Sequence, residues 1–74
     1  MKYLVEYTDT FGGDANYSWC KRREIELPSD VSDLILVRKA KAILGLTNVR
    51  CRKENLGDLI ALYPTGSATV LYIN

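Results

Sequence analysis

Only one stretch of this chain repeats its apolar residues at helical spacing. Between Ser32 and Gly45, the residues Leu36, Val37, Ala40, Ile43 and Leu44 fall at i, i+1, i+4, i+7 and i+8, one stripe along one helix face. Ser32 supplies an N-cap, Asp33 lies in the first turn where the helix dipole favours an acid, and Val31 with Leu36 suits a hydrophobic staple. Gly45 stands where a left-handed C′ residue ends the helix. A helix of about ten to thirteen residues, rising ~1.5 Å per residue, crosses three or four strands. It covers one face of a sheet and leaves the other to find its own cover. The rest of the periodic sequence alternates, so the chain predicts an α+β, two-layer ββαβββ fold: an antiparallel sheet with one helix packed on one face.

Residues 2 to 8 send Tyr3, Val5 and Tyr7 one way and Lys2, Leu4, Glu6 and Thr8 the other. Residues 8 to 15 read as a loop around Gly12-Gly13. Residues 16 to 27 form a second strand and pair with the first as a hairpin. In that strand Lys21 and Arg23 share a parity with Tyr17, Trp19, Ile25 and Leu27. Either the basic pair overhangs the core, or a bulge near Cys20 resets the register. Three short strands follow, at 48–53, 58–63 and 68–73, with turns at Glu54–Gly57 and Pro64–Ser67. Strands 58–63 and 68–73 are apolar on both parities, which marks 58–63 as central. At 74 residues the chain is a single small domain, 1–74, with a thin core.

Histidine is absent, which removes the commonest general base and the commonest metal ligand together. Cys20 and Cys51 alone do not make a four-ligand zinc site. They read as free thiols, with one disulfide open by parity. The expectation is a protein with no catalytic residues, no metal and no cofactor. Met1–Glu6 meets an acid before any apolar run forms, and no run approaches the ~20 residues that span a bilayer. A cytoplasmic protein with no membrane partner is expected.

Three features remain as candidate sites. The loop at 8–16 carries Asp9, Asp14 and Asn16, oxygen donors without the spacing of a calcium loop, and Phe11 at its tip as an anchor for a partner. Its bland reading is a hairpin loop whose aspartates bond their own backbone. Basic residues gather at Lys21-Arg22-Arg23, at Arg38, Lys39 and Lys41, and at Arg50, Arg52 and Lys53. Converging, these would form a patch for an anionic partner such as nucleic acid, with Tyr3, Tyr7, Tyr17 and Trp19 as stacking residues; scattered, they keep helix and strand faces soluble. The third feature is the sheet face left by the helix, where Leu59, Ile60, Leu62, Tyr63 and Val70–Ile73 supply more apolar surface than one helix covers. The long hairpin, a second subunit or a target protein is expected to shield it.

The opening Lys2-Tyr3-Leu4-Val5-Glu6-Tyr7, the stretch Asp14-Ala15-Asn16-Tyr17-Ser18-Trp19 and the Leu62-Tyr63-Pro64 turn before a last strand give the chain a resemblance to small accessory proteins of tailed phages and prophages. The resemblance implies a bacterial cytoplasmic setting and an accessory role, often the binding and blocking of a host protein. It carries over no functional residue. The leading expectation is therefore a non-enzymatic module that binds a protein, host or self, through a sheet face or the 8–16 loop. Phe11, Tyr17, Trp19, Lys21, Arg22 and Arg23 are its contact residues, and a homodimer is one form it can take. A small nucleic-acid-binding regulator using the basic clusters is the alternative, possible but not favoured.

Overall fold

The computed structural model describes residues 1–12 and 14–74. The elements run β1 (Lys2–Phe11), β2 (Asp14–Glu26), α1 (Asp33–Ile43), β3 (Cys51–Asn55), β4 (Ile60–Pro64) and β5 (Thr69–Ile73). All strands join one antiparallel sheet in the order β2-β1-β5-β4-β3. The connection from β2 to β3 carries the chain from one edge of the sheet to the other, and α1 lies within it.

The helix begins and ends on the residues that its sequence marks. Ser32 Oγ accepts from the Ile35 amide, closing the N-cap. At the other end the Leu46 amide bonds the Lys41 carbonyl (2.8 Å) and the Gly45 amide bonds the Ala42 carbonyl (3.2 Å). This is a Schellman turn, and it needs the left-handed backbone that Gly45 adopts at φ +72°. Leu36 and Ala40 are buried against the sheet, with Val37 and Leu44 beside them. Ile43, expected in the stripe, is 39% exposed, because it falls where the stripe meets the helix flank.

Cross-strand register explains the core. One row runs Lys21–Tyr7–Leu71–Leu62–Lys53 and the next Arg23–Val5–Ile73–Ile60–Asn55. Each has an apolar centre under the helix and polar ends on the edge strands. Lys21 and Arg23 therefore lie on the apolar face because β2 is an edge strand, where the rows run out past the apolar centre. The sequence offered overhang or bulge as alternatives, and the fold has both.

The face away from the helix holds the alternate residues of the same strands. Thr8, Ala61 and Val70 are fully buried there. Tyr63 and Tyr72, both half-buried, share this face with them, and the Arg52 guanidinium lies 4.4 Å from the Tyr63 ring centre. The apolar surplus expected on this face is thus met by small residues beside two tyrosines.

Several boundaries shift. β1 continues to Phe11 and β2 restarts at Asp14, so the 8–16 segment is not a loop: most of it is strand, with Thr10 paired to Ala15 and Phe11 to Asp14. Gly12 follows β1 with φ +61°, and Gly13 lies outside the described residues. Glu54 and Asn55 belong to β3, and the following turn closes through the Leu56 amide on the Leu59 carbonyl.

Candidate functional site

Between the pairs Thr8–Cys20 and Thr10–Ala15, β1 spends one residue, Asp9, while β2 spends Asn16, Tyr17, Ser18 and Trp19. An insertion of that size leaves backbone groups without ladder partners. Asp9 takes them up. Its carboxylate accepts from the Ser18 amide (3.0 Å), the Ser18 hydroxyl (2.5 Å) and Asn16 Nδ2 (3.0 Å). Thr8, fully buried, donates its hydroxyl to the Trp19 carbonyl at 2.7 Å. The side-chain bonds from Ser18 and Asn16 favour the ionised form and lower the Asp9 pKa to about 2. Tyr17 adopts φ +55°, the one left-handed non-glycine among the described residues.

The bulge sorts the aromatic residues. Trp19 lands on the helix side, its ring 5.2 Å from that of Tyr7 at 66°, and Tyr7 donates its hydroxyl to Thr69 Oγ1. Burial raises the Tyr72 phenol above its ordinary pKa, and Tyr63, Tyr17, Asp14 and Glu54 add to that rise. Phe11 remains 79% exposed, Tyr17 51% and Trp19 40%.

Phe11, Tyr17, Trp19, Lys21, Arg22 and Arg23 all lie on the one β1–β2 hairpin. Lys21 and Arg23 face the helix side, and Arg22 faces the open side, where its Nε meets Glu6 Oε2 at 3.1 Å. The three basic clusters do not share a surface. Residues 21–23 and 50–53 lie at opposite edges, four strand spacings or about 19 Å apart. Arg38, Lys39 and Lys41 line a shallow depression of about 470 Å³ on the outer side of α1, with Ile35, Ala42 and Thr47. Arg52 pairs with Glu54 and Lys53 with Asp33. Tyr3 and Tyr7 pack against the core rather than forming an open stacking platform.

The sequence reading passed over Leu34 and Ile35, which are exposed on the helix although both are large and apolar. Their positions outside the stripe were visible in the 3.6-residue period. It also passed over the role of Thr8; for Asp9 the bland reading, an aspartate bonding the hairpin's own backbone, matches its contact with the Ser18 amide.

Cys20 and Cys51 are half-buried free thiols on opposite edge strands, too far apart to bridge within one chain. The Cys20 thiol lies 3.9 Å from Glu6 and that of Cys51 3.6 Å from the Val49 carbonyl. Asp9 and Asn16, weighed as cation ligands, bond each other and the strand instead. No helix is long and apolar enough to cross a membrane among the described residues. Comparison with protein-family models, with curated proteins and with solved structures finds no match to this chain.

Proposed function

We propose that this chain is a non-enzymatic protein-binding module, an accessory protein of the phage or prophage kind working in the cytoplasm, whose contact surface is the far half of the β1–β2 hairpin. The observation that carries this reading is the exposure of Phe11, Tyr17 and Trp19 on a backbone that Asp9 holds in one bulged shape. Aromatic side chains on a fixed backbone lose little entropy when a partner covers them, and aromatic and arginine residues are the usual interface anchors. Arg22 and Arg23 border this group on the same strand. The nucleic-acid alternative has less support. Its basic clusters are divided between two sheet edges and a helix, and the open-face tyrosine Tyr72 has Glu6 opposite it in β1 and Glu54 within charge reach.

Site-specific photo-crosslinking in host cells tests the reading. A crosslinker at Phe11 is expected to capture one protein repeatedly, and the same probe at Thr47, on the far side of the helix, is not. Equal capture from both positions, or capture undiminished by Tyr17→Ser and Trp19→Ser, overturns it. Circular dichroism of each variant shows that the fold is kept.

A further inference from the structure

We infer that the free edge of β2 pairs with the same edge of a second copy, joining two sheets into one about a two-fold axis. This edge shares Arg22 and Arg23 with the border of the aromatic hairpin end, but Phe11, Tyr17 and Trp19 lie outside it, so the two surfaces are tested by different variants.

The backbone is poised for such pairing. Met1 and Leu27 exchange two hydrogen bonds, the Leu27 amide to the Met1 carbonyl at 3.0 Å and the Met1 amine to the Leu27 carbonyl at 2.9 Å. In an antiparallel ladder the direction alternates, so Ile25, Arg23 and Lys21 also turn their backbone groups towards β1. Cys20, Arg22, Glu24 and Glu26 therefore present theirs outward, along an edge that no other strand covers among the described residues. In the single chain the Arg22 carbonyl accepts instead from Arg23 Nη1 at 2.7 Å, a bond that strand pairing exchanges for an amide.

The side chains choose the partner. The run divides by sign: Lys21, Arg22 and Arg23 are cationic, Glu24 and Glu26 anionic. Like-charged edge strands repel one another, which is how charges guard an edge. A strand divided in this way is instead complementary to itself when antiparallel. Two registers, centred on Arg23 or on Glu24, keep the sheet faces continuous and set outward backbone groups against outward groups. The first places Arg22 of each copy opposite Glu24 of the other, the second opposite Glu26. Each forms two Arg–carboxylate pairs and leaves one like-charge pair on the axis. Glu6 already holds Arg22 by its Nε, and the side chain is 61% exposed, so its terminal nitrogens remain available to a second carboxylate. The opposite edge lacks this pattern: β3 has five residues, and its Lys53 is turned to Asp33 on the helix. Because the contact is the same patch on both copies, it closes at two chains.

Light scattering on the full chain after size exclusion reads the outcome. At low salt and high micromolar concentration the mass is expected to approach twice 8.4 kDa. The Arg22→Glu chain alone, and the Glu24→Arg, Glu26→Arg chain alone, are each expected to run as monomers. An equimolar mixture of the two is expected to recover the doubled mass, because each reversed charge then meets its opposite. That recovery also shows that both variants fold. A monomer at every concentration overturns the inference, as does a dimer that survives in either variant alone. Phe11→Ser is expected to leave the dimer intact, so loss of the partner contact proposed above and loss of the dimer are read separately.

Discussion

β2 and β4 belong to the same sheet and share almost nothing else. Every residue of β2 keeps some contact with solvent over thirteen positions, while four of the five residues of β4 are buried. β4 is held by what its side chains touch: Ile60 and Leu62 beneath the helix, Ala61 on the other face. β2 is held by the ladder to β1 and by polar side chains, above all Asp9 and Thr8. Stability is concentrated on one side of the molecule, and the surface open to a partner on the other. A strand that contributes little apolar burial is free to carry exposed aromatic and basic residues.

The comparison breaks first at the core. Leu62→Ala removes a fully buried side chain and is expected to cost about 2–5 kcal/mol, enough to unfold much of so small a domain, as urea titration will show. A change in the hairpin acts through a different force. Thr8→Val keeps the shape but leaves the Trp19 carbonyl without its 2.7 Å donor, for an expected loss of about 1–3 kcal/mol and a change in Trp19 fluorescence. Ser32→Ala, which removes the helix N-cap, is expected to cost about 1 kcal/mol by thermal denaturation.

The smallest effect is a pH dependence confined to the hairpin. The Asp9 pKa is lowered on folding from 3.8 to about 2, so the ionised carboxylate stabilises the bulge above the higher value. That contribution is lost as pH falls from 3.8 towards about 2. The protection of the Ser18 amide against exchange, relative to the unfolded chain at the same pH, is expected to fall over this range while that of Leu62 does not. In the Asp9→Asn chain the pH step is expected to vanish.

How far the sequence could be read follows the same division. The helix was legible to its caps because Ser32, Asp33 and Gly45 act locally. The core strands were legible because burial on both faces leaves runs such as Ile60–Leu62 and Val70–Ile73. The hairpin was misread between 8 and 16 because its strand character there comes from ladder pairing, Thr10 with Ala15 and Phe11 with Asp14 inside the hairpin and Thr8 and Asp9 with β5. Asp, Thr, Asn and Ser favour turns in isolation, and only the ladder makes them strand. The basic residues were recognised as groups, but their separation onto two edges depends on strand order, which alternation does not encode.

The seam between β1 and β5 has a kinetic consequence. It joins residues as far apart in the chain as Val5 and Ile73, and among the described residues it is the only ladder linking the hairpin to the β3–β5 meander. Contacts that span such a distance form late and slowly, since the loop entropy is lost before they repay it. Hairpin and meander each have local pairings to form quickly, but neither completes the core before the seam closes. Refolding is therefore expected to be limited by the arrival of β5 beside β1, as stopped-flow fluorescence of Trp19 will test. A variant that weakens that seam will slow folding more than one that weakens either hairpin by the same amount.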